Sequence, residues 1–138
     1  MRGREAPGAR VVARPEALDT AVWRDAPQRA VRGHDAVYRF APDEAFGLVG
    51  AGGSVDVDDP FAIVVEERGF VMIRLDADEF AAHVVPHIEW PIPPAPSFSQ
   101  GAIAGVPAKV GLDPTGTATI LVLRAYAHEL VTRLGIGG

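Results

Sequence analysis

The most regular pattern of apolar and polar positions lies in the last third of the chain. Apolar residues recur loosely over 102–111, a Pro-Thr-Gly turn signal follows, and residues 118–124 form a short apolar run rich in β-forming residues. From 125 to 134 the apolar residues take helical spacing. This pattern predicts a strand, a turn, a second strand and a helix, in that order.

A shorter pattern of the same kind occupies residues 61–75. Two runs rich in β-branched residues are separated by Arg68 and Gly69, which predict a tight turn. We therefore expect a β-hairpin with antiparallel strands near 61–66 and 70–75. Weaker β-like runs precede it near residues 36–40, 46–49 and 54–57.

The residues after this predicted hairpin carry the signals of a helix start and a helix stop. Asp76 can accept hydrogen bonds from the free amides of a helix N-terminus, and Glu79 completes a pattern like a capping box. Pro86 stops or kinks the helix, which is predicted to occupy 77–85. The sequence WPIPPAP at 90–96 then predicts a stiff, extended covering segment.

The order of these elements places the chain in the α+β class. It predicts one domain over residues 36–138, with a mainly antiparallel sheet and two helices. Residues 1–35 are rich in Arg, Ala and Pro and contain few large apolar groups. Such a segment cannot bury much apolar surface, so we expect an extended arm there.

Composition limits the chemistry that this chain can perform. It has 138 residues, of which 48% are hydrophobic, and it contains no cysteine. A core can therefore form without disulfides, while thiolate metal sites and thiol catalysis are excluded. No apolar run reaches the roughly 18 residues that a membrane span needs. We predict a cytoplasmic protein that does not enter a membrane.

Charge is unevenly distributed, and its overall sign argues against nucleic-acid binding because the net charge is −5. Residues 1–39 contain eight Arg and five acidic residues, a balance of +3. The remainder contains five basic and thirteen acidic residues, a balance of −8. A basic arm on an acidic body suits a protein partner, and Arg and Trp often dominate interface energies. The predicted partner-binding residues are Trp23, Arg24, Arg29 and Arg32.

Histidines form two partial patterns of metal sites. His83 and His87 have the i, i+4 spacing of a helical pair, but Pro86 lies between them and should place His87 past the helix end. His128 and Glu129 begin the zinc-protease pattern, which then lacks its second histidine. We expect these side chains to have surface roles.

An acidic cluster and a glycine-rich stretch are also incomplete as sites. Asp56, Asp58 and Asp59 lie beside a predicted turn, but a calcium loop needs glycine at its sixth position, where Phe61 stands. The glycines within 47–53 are followed by β-like residues, whereas a phosphate loop leads into a helix. We predict no catalytic residue and no metal site in this chain.

Several segments between residues 54 and 135 resemble one known family. They are the strand 54–57, the strand-to-helix segment 70–76 with Phe80 and Ala81, Phe98 and Gly101 with 104–107, and the closing block 122–127 with Leu130 and Leu134. Together they make the chain similar to the gamma subunit of heterotetrameric sarcosine oxidase. That family is related to the aminomethyltransferase (glycine-cleavage T-protein) fold.

This resemblance implies a ferredoxin-like ββαββα domain and a non-catalytic structural subunit of a flavin-dependent amine (sarcosine-type) oxidase complex. It implies that this chain alone binds no cofactor. Flavin (FAD or FMN), NAD and folate would belong to larger flavoprotein subunits in a hetero-oligomer. A stand-alone domain that binds a small, folate-like molecule, or a small enzyme, remains the alternative.

Overall fold

Three antiparallel sheets and three helices make up the part of the chain that the computed structural model describes, residues 3–26 and 37–136. They belong to two compact units. The N-terminal unit is Ala6–Arg68, and the C-terminal unit comprises the chain from Gly69 onward together with the residues up to Glu5. The predicted α+β class with mainly antiparallel strands is confirmed. The aminomethyltransferase-like, ferredoxin-like arrangement stays a prediction.

Short strands make up most of the described secondary structure. The strands in chain order are β1 (Arg4–Glu5), β2 (Gly8–Val12), β3 (Val22–Arg24), β4 (Val37–Ala41), β5 (Glu44–Gly47), β6 (Ser54–Asp56), β7 (Ile63–Glu67), β8 (Phe70–Leu75), β9 (Ser97–Ile103), β10 (Val106–Leu112) and β11 (Ala118–Leu123). The helices are α1 (Pro15–Asp19), α2 (Ala77–His83) and α3 (Arg124–Leu134), and a 3₁₀ turn follows α2 at Val85–His87. No helix in the described ranges has the length and apolar character needed to cross a membrane.

A five-stranded sheet with the order β1-β8-β11-β10-β9 forms the base of the C-terminal unit. Ile73 on β8 and Ile120 on β11 lie opposite each other and are fully buried. α3 adds Ala127, Leu130 and Leu134 to the same core, at the spacing of one helix face. Each fully buried Ile or Leu side chain stabilises the fold by about 1.5–3 kcal/mol.

The helices of the C-terminal unit lie close to the predicted ranges, although α2 ends at His83, two residues before its predicted end, and α3 begins at Arg124, one residue before its predicted start. The Asp76 carboxylate accepts a hydrogen bond from the Glu79 amide at 2.7 Å, and the Glu79 carboxylate accepts one from the Asp76 amide at 3.1 Å. The predicted capping box is therefore present. α3 ends at Gly135, whose left-handed backbone (φ 69°) lets its amide donate to the Val131 carbonyl at 3.1 Å.

A four-stranded sheet with the order β4-β5-β2-β7 and the two-stranded pair β3-β6 form the N-terminal unit. Val11 on β2 and Ala45 on β5 lie opposite each other and form a small core with Leu18 of α1. Trp23 and Val55, which are paired across β3 and β6, pack at the margin of that core. The same unit also buries Phe46 on β5, which is fully buried, with Leu48 and Val49 just after that strand.

The predicted hairpin over 61–75 is wrong, although both of its strands exist. β7 pairs with β2, with Val64 opposite Val11, whereas β8 pairs with β1 and β11. The two strands belong to different sheets and different units. Alternation and a turn dipeptide identify strands but do not select their partners. The partner of β7 lies in the segment that is predicted to be an extended arm.

The described part of the segment 1–35, residues 3–26, is folded into the two units and does not form the predicted extended arm. Its residues 4–24 form β1, β2, α1 and β3, and β2 is an inner strand of the four-stranded sheet. Alanines provide much of the burial, since Ala9, Ala13 and Ala17 are at most 6% exposed. Small buried residues carry little hydropathy signal, which is why composition alone indicated an arm. The single unit predicted over 36–138 is likewise divided between Arg68 and Gly69.

The strand predicted over 102–111 is two strands joined by a tight turn. Ala104 and Gly105 have positive φ angles of 49° and 81°, and Ile103 lies opposite Val106. This two-residue connection matches a hairpin turn of type I′, in which both central residues are left-handed. The usual sequence signal for such a turn is Asn-Gly or Asp-Gly, and Ala-Gly does not provide it.

Replacing Asp76 with Ala should destabilise the C-terminal unit by about 1 kcal/mol, because the Glu79 amide loses its side-chain acceptor. Urea denaturation measures the change. Asp78→Ala is the matched control, since Asp78 lies in the first turn of the same helix and is not part of the capping box. Equal destabilisation by both substitutions would contradict the assignment of the cap.

Candidate functional site

Of the four residues predicted to bind a partner, the two that the structure describes already make contacts within the N-terminal unit. Trp23 lies against the backbone of β5, because a Cβ atom on Gly47 would come within 2.3 Å of its ring. Arg24 forms an ion pair with Asp56 on the neighbouring strand β6. Arg29 and Arg32 lie outside the described residues. The role of these four residues in partner binding stays a prediction.

The histidines of the partial metal patterns are separated by the end of α2. The helix ends at His83, and His87 follows in the 3₁₀ turn that contains Pro86. His128 is exposed on α3, and Glu129 beside it forms an ion pair with Arg133. Within residues 3–26 and 37–136, no three His, Asp or Glu side chains are grouped so that they could hold a metal ion.

The Asp56–Asp59 region organises the backbone before β7. The Asp59 carboxylate accepts hydrogen bonds from the Arg14 amide at 3.0 Å and from the Phe61 amide at 2.9 Å. These two bonds lower the pKa of Asp59 below its ordinary value because they favour the charged form, and the bond from Arg14 has the larger effect. Asp59 thus connects the start of α1 to the start of β7.

The first candidate site is the outer edge of β7. This strand is the last one of its sheet, so one of its edges pairs with no other strand in the described part of the chain. Its apolar residues Ile63, Val64 and Val65 are 61%, 49% and 48% exposed, and Phe61 just before them is 88% exposed. Exposed apolar edge strands are unusual because they invite pairing with another chain.

The acidic end of β7 is neutralised by arginines of the same unit. Glu66 pairs with Arg68 at 2.8 Å, and Glu67 pairs with Arg10 at 3.2 Å. Arg10 also pairs with Glu44, and this hydrogen bond is the main reason that the pKa of the Arg10 guanidinium is raised. Because both glutamates are paired, the exposed apolar side chains are the part of β7 that another protein could bind.

The second candidate site is a cleft of about 440 Å³ in the C-terminal unit. It lies beside the 3₁₀ turn and the turn between β9 and β10. Because β9 is an edge strand, the cleft is at the margin of the five-stranded sheet. Its lining consists of Pro86, His87, Glu89, Trp90, Ala102, Ala104 and Gly105.

Trp90 is fixed in the wall of this cleft by two features of β9. Its indole N–H donates to the Ala102 carbonyl at 2.8 Å. Gly101 has no side chain, and a Cβ atom there would approach the ring to 2.4 Å, so the indole lies directly against the strand. Trp90 and Ile92 also pack against the main core, in agreement with the expected covering role of residues 90–96.

The polar groups of the cleft fall into two sets. In the first set are three backbone carbonyls that accept hydrogen bonds from this chain. The Ala104 amide donates to the His87 carbonyl at 3.0 Å, and the Trp90 indole donates to the Ala102 carbonyl at 2.8 Å. The Arg133 guanidinium donates to the Ala104 carbonyl at 2.6 Å. By contrast, the side chains of His87 and Glu89 are exposed and have no hydrogen-bond or ion-pair partner among the described residues. The cleft therefore presents a carboxylate, an imidazole and an indole.

Sequence reasoning did not find either site. The run Ile63-Val64-Val65 was interpreted as half of a hairpin, which hid its exposed edge. Trp90 and Gly101 are eleven positions apart and are brought together only by the covering segment. The one signal in the sequence is a glycine, Gly101, directly before the predicted strand 102–111, which leaves room for a large side chain such as Trp90.

Comparisons with protein-family models, with curated proteins and with solved structures found no match to this chain. The resemblance to the sarcosine oxidase gamma subunit therefore stays a prediction.

Gly101→Ala should destabilise the C-terminal unit by about 1–3 kcal/mol, because the added methyl group overlaps the Trp90 ring. Urea denaturation of the single variants and of Gly101→Ala/Trp90→Ala measures the coupling. We expect Gly101→Ala to cost much less when the indole is absent. The same cost in both backgrounds would show that Trp90 does not lie on Gly101.

Asp59 should titrate below its ordinary pKa in the folded protein, as measured by carboxyl NMR. Because the folded-state pKa is depressed, its contribution to stability is present above the unfolded-state pKa and is lost as the pH falls through the folded-state value. Asp59→Asn should therefore flatten part of the acid dependence of unfolding. An unshifted Asp59 titration would contradict the two amide bonds.

Proposed function

We propose that this chain is a non-catalytic subunit of a larger complex and that it binds an extended segment of another protein along β7. The observation that carries this proposal is the exposed apolar edge formed by Ile63, Val64 and Val65. An incoming strand would pair with the free backbone groups of this edge. Its alternate apolar side chains would cover the β-branched residues and Phe61.

The size of the edge favours a larger partner over a second copy of this chain. Stable interfaces typically use roughly 20–30 residues from each side. A two-fold contact between two copies of β7 would offer five residues from each copy. A larger chain can add one strand to the edge and pack its remaining surface around Phe61, which is 88% exposed.

The identity of the complex rests on the resemblance to the sarcosine oxidase gamma subunit. On that basis we propose a cytoplasmic, flavin-dependent amine oxidase complex. Its larger subunits would hold flavin (FAD or FMN), NAD and folate, and this chain would hold none of them. Trp23 and Arg24 have partners within their own unit, so we move the centre of the expected interface from these residues to β7.

A second candidate function is the binding of a small molecule, and the cleft beside Trp90 favours it. The volume of about 440 Å³ lies within the range of roughly 300–1,000 Å³ that is usual for small-molecule sites. This function is compatible with the first because it uses the C-terminal unit, whereas β7 belongs to the N-terminal unit.

Ile63→Lys should reduce recovery of the complex by at least about tenfold, because a lysine on an edge strand opposes the pairing of an apolar strand. The test is co-expression with the large subunits of a sarcosine-oxidase-type complex, followed by affinity purification through a tag on this chain. Val37→Lys is the matched control. It places the same side chain on β4, the opposite edge of the same sheet, where Val37 is also exposed.

Hydrogen exchange distinguishes strand addition from looser association. We expect amides of β7 to gain protection in the complex. Recovery that is equally lost with Val37→Lys, or a complex in which β7 gains no protection, would contradict the edge as the interface. Homodimers that form through β7 in the absence of any larger subunit would replace the proposed partner by a second copy.

A further inference from the structure

We propose that the cleft beside Trp90 binds a small organic cation of the quaternary ammonium class. Two observations lead to this ligand. They are the unpaired carboxylate of Glu89 and the fixed indole of Trp90, which line the same cleft. The proposal uses only the C-terminal unit and does not depend on β7.

Glu89 gives the cleft its negative charge. Its side chain lines the cleft, is exposed, and has no ion-pair partner among the described residues. Arg133, which donates to the Ala104 carbonyl of the cleft lining, is paired with Glu129 and not with Glu89. Among the described residues, no cation neutralises Glu89 before a ligand binds.

Trp90 provides the surface against which a cation can rest. Tryptophan is the aromatic residue that attracts cations most strongly through its ring face. The hydrogen bond to Ala102 and the contact with Gly101 hold the ring before any ligand arrives. The ligand therefore does not have to order this side chain, which lowers the entropic cost of binding.

The apolar faces of the cleft favour a methylated over a primary ammonium. A primary ammonium has three N–H donors that need acceptors when they leave water. A quaternary ammonium needs no acceptor, because its methyl groups carry the charge and pack against the indole and Pro86.

His87 is suited to the polar end of such a ligand. Its imidazole lines the same cleft and has no partner among the described residues. A hydroxyl group two carbons from the ammonium, as in choline, could exchange a hydrogen bond with this ring. Choline is therefore the probe that best represents the class.

The test is an NMR titration of the full chain with choline. The chain contains two tryptophans, so two indole N–H signals are expected, and Trp90→Phe assigns one of them. Three probes are compared: choline, its neutral isostere 3,3-dimethylbutan-1-ol, and ethanolamine. We expect choline to shift the Trp90 signal with millimolar affinity. The neutral isostere should bind about 3- to 30-fold more weakly, since it lacks the charge that both Trp90 and Glu89 attract.

Two variants locate the charge that is responsible. Glu89→Gln should weaken choline binding about 2- to 5-fold, as expected for one exposed opposite charge. Glu5→Gln should leave it unchanged, because Glu5 lies on β1, at the opposite edge of the same sheet, where it pairs with Arg124. Both variants retain nearly the shape of the original side chain, so the fold should be kept.

Each other outcome would overturn the proposal. Equal affinity for the neutral isostere would show that the cleft selects apolar shape and not charge. Equal or tighter binding of ethanolamine would remove the quaternary class. Equal effects of Glu89→Gln and Glu5→Gln, or the absence of any shift of the Trp90 signal at saturating choline, would show that Glu89 and Trp90 do not form the site.

Discussion

The pairing of β7 with β2, and not with the strand that follows it in the chain, determines which strand edges remain open. If β7 and β8 formed a hairpin, β8 would cover the edge of β7 and the apolar run Ile63–Val65 would be internal. Because β7 is instead the last strand of its sheet, that run is exposed. The proposed interface therefore follows from one choice of strand partner.

The cleft depends on a similar use of backbone groups at a sheet edge. β9 is the last strand of the five-stranded sheet, and its outer carbonyls need donors. The Trp90 indole donates to the Ala102 carbonyl of β9, and the Arg133 guanidinium donates to the Ala104 carbonyl in the turn that follows. The bond to Ala102 uses one carbonyl of the edge strand and also fixes an aromatic ring beside an unpaired carboxylate. The same hydrogen bond thus serves the packing of the covering segment and the proposed binding chemistry.

Local signals in the sequence predicted local structure well and strand partners poorly. The capping box at Asp76, the end of α2 before Pro86 and the helix α3 follow from residues close together in the chain. The hairpin prediction failed because the strand that pairs with β7 is more than 50 positions away, in a segment whose buried alanines have little hydropathy contrast. The cleft was missed because the contact of Trp90 with Gly101 depends on the path of the covering segment.

Cross-strand nuclear Overhauser effects test the pairing of β7 most directly. Our account predicts contacts between the backbone protons of β7 and β2, in the register that places Val64 opposite Val11 and Val65 opposite Arg10. It predicts no ladder of contacts between β7 and β8. A β7–β8 ladder around Arg68 and Gly69 would restore the hairpin, remove the open edge and contradict the proposed interface.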